Sequence, residues 1–160
     1  VHKWIFDAHG LAALTQAAQE LNFDIDEVID AMTALAEAGE LECPPTVIRE
    51  CRAVGGPSDK GLTWARAAAG HFRGCSVSWA VVEEVVTRCP EMVDVDDVDE
   101  SPQVEVLALA LARQRDGWDV TVVTAQLVDT PLRMALATAA SAVSVDYVTP
   151  TDFIAKLLLL

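Results

Sequence analysis

The chain has 160 residues, of which 52% are hydrophobic and 22% charged, a balance that excludes a disordered segment and suits one globular domain burying about 70% of its unfolded surface. Eleven Lys and Arg stand against 25 Asp and Glu, a formal net charge of −14; this opposes diffuse attraction to nucleic acid, which depends on cations neutralising phosphates, and favours cations and basic partners. The longest apolar stretch, "FIAKLLLL", is far short of the roughly 20 residues that span a bilayer, and no basic, apolar, small-residue leader opens the sequence, so no membrane association and a cytoplasmic location are expected.

"KWIF" is a short apolar run closed by Asp7 and is expected to be a buried first strand. "DAHGLAALTQAAQEL" carries Leu11, Leu14, Ala18 and Leu21 at helical spacing. "FDIDEVIDAMTALAEAGEL" predicts a second helix, with Asp24 as N-cap, Glu27 three residues on as in a capping box, and Gly39 at its end. "CPPTVIRECRAV" predicts a third, entered through proline; Val47, Ile48, Cys51 and Val54 share its inward arc, with Glu50 near the edge of that arc. "GGPSD" reads as a loop, "KGLTWARAAAGHFR" and "SVSWAVVEEVVTRC" as helices, and "PEMVDVDDVDES" as a solvated acidic connection. "PQVEVLALALARQRDG" is an apolar helix opening with proline and stopping at Gly117. "WDVTVVT" is rich in β-branched residues, as a strand buried on both faces would be. "PLRMALATAASA", "VSVDYV" and "PTDFIAKLLLL" follow as helix, strand and helix. That alternation with short links predicts an α/β fold, a parallel sheet wrapped by helices. The four cysteines, Cys43, Cys51, Cys75 and Cys89, form no CxxC pair and match no zinc module; they are expected to be buried or idle thiols.

Parallel strands deliver their C-terminal tips to one edge of the sheet, where chemistry tends to be placed. Asp7 ends the first strand, and "TAQLVD", with Gln126 and Asp129, follows the later one. Glu105 lies in the first turn of a helix whose far end feeds that later strand, so its start returns to the same edge, and Glu50 is within reach. Two carboxylates about 5 Å apart repel by roughly 3 kcal/mol at an effective dielectric near 20. A cluster of three or four therefore needs a counter-charge, and Mg²⁺ or Mn²⁺ with oxygen ligands is the usual one.

Four stretches together resemble the PIN-domain family of nucleases, which includes many bacterial toxins of toxin–antitoxin pairs. "WIFDAHGL" is similar to the family's opening strand, which places Asp7 at its first metal-binding acid. "PPTVIREC" resembles the proline-led helix that carries the second acid, here Glu50. "VEVLALALARQ" resembles the helix that begins with an acid and runs to Ala-x-Ala, which makes Glu105 the third. The segment from "WDVTVVTAQLVDTP" to "FIAKL" is similar to the closing strand, threonine–x–acid tip, helix, strand and last helix.

The resemblance implies a three-layer α/β/α fold over residues 1–160 and a Mg²⁺- or Mn²⁺-dependent endoribonuclease. Its metal-site acids would be Asp7, Glu50, Glu105 and Asp129, with Gln126 offering a carbonyl oxygen. RNA is then the implied substrate, an antitoxin protein the implied partner, and a homodimer a further expectation. The departures are specific: Ala8 and His9 stand where the family usually has threonine and asparagine, and Gln126 stands where the tip usually has an acid. His9 suits acid–base chemistry, since imidazole titrates near neutrality, and the Thr124 hydroxyl suits orienting a neighbouring ligand. A degenerate PIN fold that binds protein or RNA without cutting is the alternative. A receiver- or flavodoxin-like domain, the more distant one, predicts a regular strand–helix alternation that the consecutive helices before residue 100 contradict.

Overall fold

The computed structural model of the chain describes residues 1–54, 59–93, 101–131 and 133–159. Four parallel strands, β1 (His2–Phe6), β2 (Leu41–Glu42), β3 (Asp119–Val123) and β4 (Asp146–Val148), form a sheet in the order β2-β1-β3-β4. Nine helices surround it among the described residues: α1 (Ala8–Ala12), α2 (Leu14–Glu20), α3 (Ile25–Glu37), α4 (Pro45–Val54), α5 (Lys60–Ala67), α6 (Trp79–Arg88), α7 (Pro102–Arg115), α8 (Leu136–Ala142) and α9 (Pro150–Leu158). The expected α/β fold with a central parallel sheet is present. Among the described residues no helix is long and apolar enough to cross a membrane.

Alternation along β1 sends its side chains to opposite faces of the sheet. Trp4 and Phe6 face α9, where Phe153 meets both rings edge-on at centroid distances of 5.0 and 4.9 Å. On the other face Lys3 pairs with Glu42 of β2, which also takes Arg113 of α7 at 2.9 Å and the Cys75 thiol at 3.0 Å. Val120, Val122 and Val123 of β3 are buried, as a central strand requires. All four cysteines are free and buried, which meets the expectation. The chain moves from β1 outward to β2 on one side and to β3 on the other. The crevice beyond the strand ends, between β1 and β3, is therefore a topological switch point.

Local differences from the sequence expectation have identifiable causes. The expected single helix over residues 7–21 breaks at Ala13 into α1 and α2. At that break α5 crosses so closely that a Cβ on Gly61 would collide with the Leu11 carbonyl oxygen. The helix from residue 23 begins under the Asp24 cap, whose carboxylate accepts from the Asp26 amide at 3.0 Å. It stops at Glu37, and Gly39 (φ 74°) turns the chain, so that Leu41 and Glu42 form β2 beside β1. A strand of two residues has no readable periodicity. The helix expected from residue 131 starts at Leu136, and the strand expected from 143 starts at Asp146, after Ser144 takes a left-handed turn (φ 62°). The acidic run Asp94–Glu100 and the turn Gly55–Ser58 lie outside the described residues.

The α5 crossing gives the first prediction. Gly61→Ala should destabilise the protein by roughly 2 kcal/mol or more in urea unfolding, because backbone rather than a flexible side chain must yield. Gly70→Ala, where an added Cβ meets nothing within 4 Å, should stay within about 0.5 kcal/mol of wild type. Equal effects at the two positions would contradict the close crossing.

Candidate active site at the sheet edge

Asp7 follows β1 directly and is completely buried. Its Oδ1 accepts the Gly10 amide at 2.7 Å, closing the first turn of α1, and its Oδ2 accepts the Thr124 hydroxyl at 2.7 Å. Thr124, just past β3, is also fully buried, and its hydroxyl accepts the Gln126 amide at 3.0 Å. One carboxylate thus ties the tips of the two central strands together. Close approach makes the glycine necessary: a Cβ at Gly10 would lie 2.6 Å from the Val123 carbonyl oxygen and 3.1 Å from Asp7 Oδ1.

Glu50 reaches the same region from α4. It lines a cavity of about 100 Å³ with Ala8, His9, Ala12 and Leu62. Its Oε2 is buried without a hydrogen-bond partner, an arrangement that native structures rarely tolerate without a reason. Burial pushes the Glu50 carboxyl above its ordinary pKa, partly offset by the charge of His9. Asp7 behaves alike: burial raises it, bonds from Thr124 and Gly10 and the His9 charge pull it back, and the Glu50 charge raises it again, for a pKa of about 6. The structure therefore brings Asp7, Glu50 and an exposed His9 within electrostatic reach of one another.

The remaining sequence candidates have other engagements. Glu105, in the first turn of α7, accepts the hydroxyl of Thr46. Thr46 precedes Glu50 by one turn of α4, so Glu105 meets the same stripe of that helix one turn away from the Asp7 pocket. Gln126 accepts the Leu136 amide on Oε1 at 2.9 Å and the Ala137 amide on its backbone oxygen at 3.3 Å. Asp129 accepts the Ala135 amide at 2.7 Å and the Thr138 hydroxyl at 2.8 Å, and these bonds hold its pKa below the usual carboxylate value. Both side chains satisfy the opening amides of α8, which otherwise lack partners. Among the described residues no group of three His, Cys, Asp or Glu side chains is placed to hold one metal ion. Sequence reasoning missed Thr46; its spacing of four from Glu50 was the available signal. Comparison with models of known protein families and with curated proteins finds no match.

The raised pKa of Asp7 has a definite sign. Between the unfolded value near 3.8 and the folded value of about 6, the native state binds the extra proton, so its stability falls as pH rises through that window, by at most about 3 kcal/mol. Asp7→Asn keeps the acceptor for Gly10 without the charge. In urea unfolding the variant should match wild type near pH about 4 and exceed it by about 1–3 kcal/mol above pH about 7. A wild type that gains on the variant as pH rises would contradict the assignment.

Proposed function

We propose that the protein is a divalent-metal-dependent endoribonuclease of the PIN type, centred on Asp7 and Glu50. The observation that carries this reading is the pair of under-compensated carboxylates at the switch point, one of them with a buried oxygen that has no partner. Raised carboxyl pKa values cluster at functional sites, and the crevice beyond strand ends is where α/β proteins tend to place them. The donor set fits a hard cation: Mg²⁺ is commonly held by one or two carboxylates, with substrate phosphates and water completing its shell. Asp7 and Glu50 would hold that ion, which when bound supplies charge stabilisation at the phosphoryl group and a nucleophile at neutral pH.

The chain's own residues do the rest. Thr124 and Gly10 fix the Asp7 carboxylate in one orientation, so no rotamer search precedes binding. His9, exposed beside both acids, is placed to take or give a proton at the mouth of the cavity. Single-stranded RNA is the substrate this reading implies, and the −14 charge favours control by a basic protein segment, as an antitoxin of a toxin–antitoxin pair would supply. A second reading, a PIN-like module that binds RNA or protein with little or no cleavage, is favoured by the engagement of Gln126 and Asp129 at α8.

The test is cleavage of single-stranded RNA in Mn²⁺, paired with titration calorimetry of Mn²⁺ alone. Wild type should cleave, and both Asp7→Asn and Glu50→Gln should lose about 100-fold or more in rate, because even outer-shell partners of a metal typically cost about 10–100-fold. Metal binding without cleavage would select the binding module. Metal-supported cleavage that survives Asp7→Asn would overturn the site.

A further inference from the structure

A cavity of about 380 Å³ lies between α6 and α7 and shares no lining residue with the Asp7 pocket. Trp79, Val82 and Val86 line it from α6, at the i, i+3 and i+7 positions that share one helix face, and Val104 lines it from α7. Two polar side chains interrupt these apolar walls, Ser101 and Glu105. We infer that this cavity is a binding site for a primary amine with an apolar body, held as its ammonium ion; the inference is independent of the nuclease reading.

The fold leaves both polar groups with capacity to spare. Ser101 is the N-cap of α7, yet its side chain makes no capping bond, the role for which serine is favoured at that position. Glu105 stands four residues further along the chain, so the two side chains start from one face of the first turn. The Thr46 hydroxyl fastens Glu105 Oε2. Among the described residues no ion pair engages this carboxylate and no bond reaches its Oε1. A carboxylate oriented through one oxygen and open on the other, beside a hydroxyl that also accepts, offers acceptors to the three N–H groups of an ammonium.

Charge and shape then set the class of ligand. Glu105 carries the one charge in the described lining, and it repels an anion. The positive end of the α7 dipole opposes a cation, but with about half a charge against the full charge of the carboxylate. A bare metal ion suits the site poorly, because valine and indole walls supply no oxygen ligands. The volume falls in the range, about 300–1,000 Å³, of small-molecule sites lined mainly by apolar side chains with a few polar groups. Trp79, 75% exposed, adds an indole face that attracts cations and covers apolar groups. A second copy of the chain would bring a further charge of −14 to an acidic molecule, and is the weaker occupant on that ground.

The experiment is NMR titration of the full chain, in EDTA, with 3-phenylpropylamine, 3-phenylpropanol, 3-phenylpropionate and methylammonium. The phenylpropylamine should shift the Trp79 indole N–H and bind at least about tenfold more tightly than the alcohol or the acid, the margin of a charge-assisted over a neutral hydrogen bond. Methylammonium, which has no apolar body to bury, should bind more weakly still. Glu105→Gln should remove the advantage of the amine while the alcohol binds as before, which shows the cavity intact. Trp79→Ala should weaken amine and alcohol alike. No shift at Trp79, equal binding of amine, alcohol and acid, or a preference that survives Glu105→Gln would overturn the site. So would a solution dimer that Trp79→Ala dissociates, or binding of a leucyl-lysyl-leucine peptide by a cavity that ignores the free amine, since these make a second copy or a protein partner the occupant.

Discussion

The Asp7 carboxylate, removed from water at the end of the first strand, is the constraint around which this edge of the sheet is built. Removing an ionised carboxylate from water costs several kcal/mol unless partners replace the lost hydration. Here the partners are one amide of α1 and one hydroxyl at the tip of β3. Both require close approach, and Gly10 lies against the Val123 carbonyl to permit it. To the backbone pairing that sets the register of the two central strands, this one side chain adds a tie between the first helix and the loop after β3.

The molecule buries another carboxylate in the opposite manner, and the contrast is informative. Burial also pushes the Glu42 carboxyl upward, but bonds from Arg113, Lys3 and the Cys75 thiol outweigh it and hold its pKa below the ordinary value. Lys3 is further occupied, lying 4.0 Å from the centroid of the Trp118 ring. That group is compensated on every side and ties β1, β2 and α7 together. Among the described residues, the positive charge that lowers the pKa of both Asp7 and Glu50 is that of the exposed His9. The chain neutralises one buried acid fully and leaves two others short of positive charge, and the proposed cation site rests on that contrast.

How much of this was legible in the sequence follows from what each feature depends on. The Asp7 strand, the valine-rich β3 and the helix over residues 102–115 announce themselves through local pattern, and the α/β class follows from their alternation. β2 was hidden because two residues carry no period and its existence depends on pairing with Trp4 and Ile5. The break at Ala13 was hidden because the cause, Gly61, lies 48 positions downstream. Among the site candidates, Asp7 and Glu50 were placed by strand end and helix face, both local properties. Gln126 and Asp129, expected near the acids beyond the β3 tip, also accept the opening amides of α8, a role that depends on that helix starting at Leu136 and that no local pattern encodes. Glu105 was placed correctly at a helix start, while its bond to Thr46 depends on how α7 crosses α4, which no local pattern encodes.

The central claim is that the Asp7 carboxyl is held in want of a positive charge, and the most direct measurement is its own titration, followed by carboxyl-carbon NMR with and without Mg²⁺. The account predicts a pKa of about 6 in the metal-free protein and a clear fall when Mg²⁺ is added, because a cation favours the charged form. A titration near the ordinary aspartate value of about 3.9, or one that Mg²⁺ leaves in place, would contradict it.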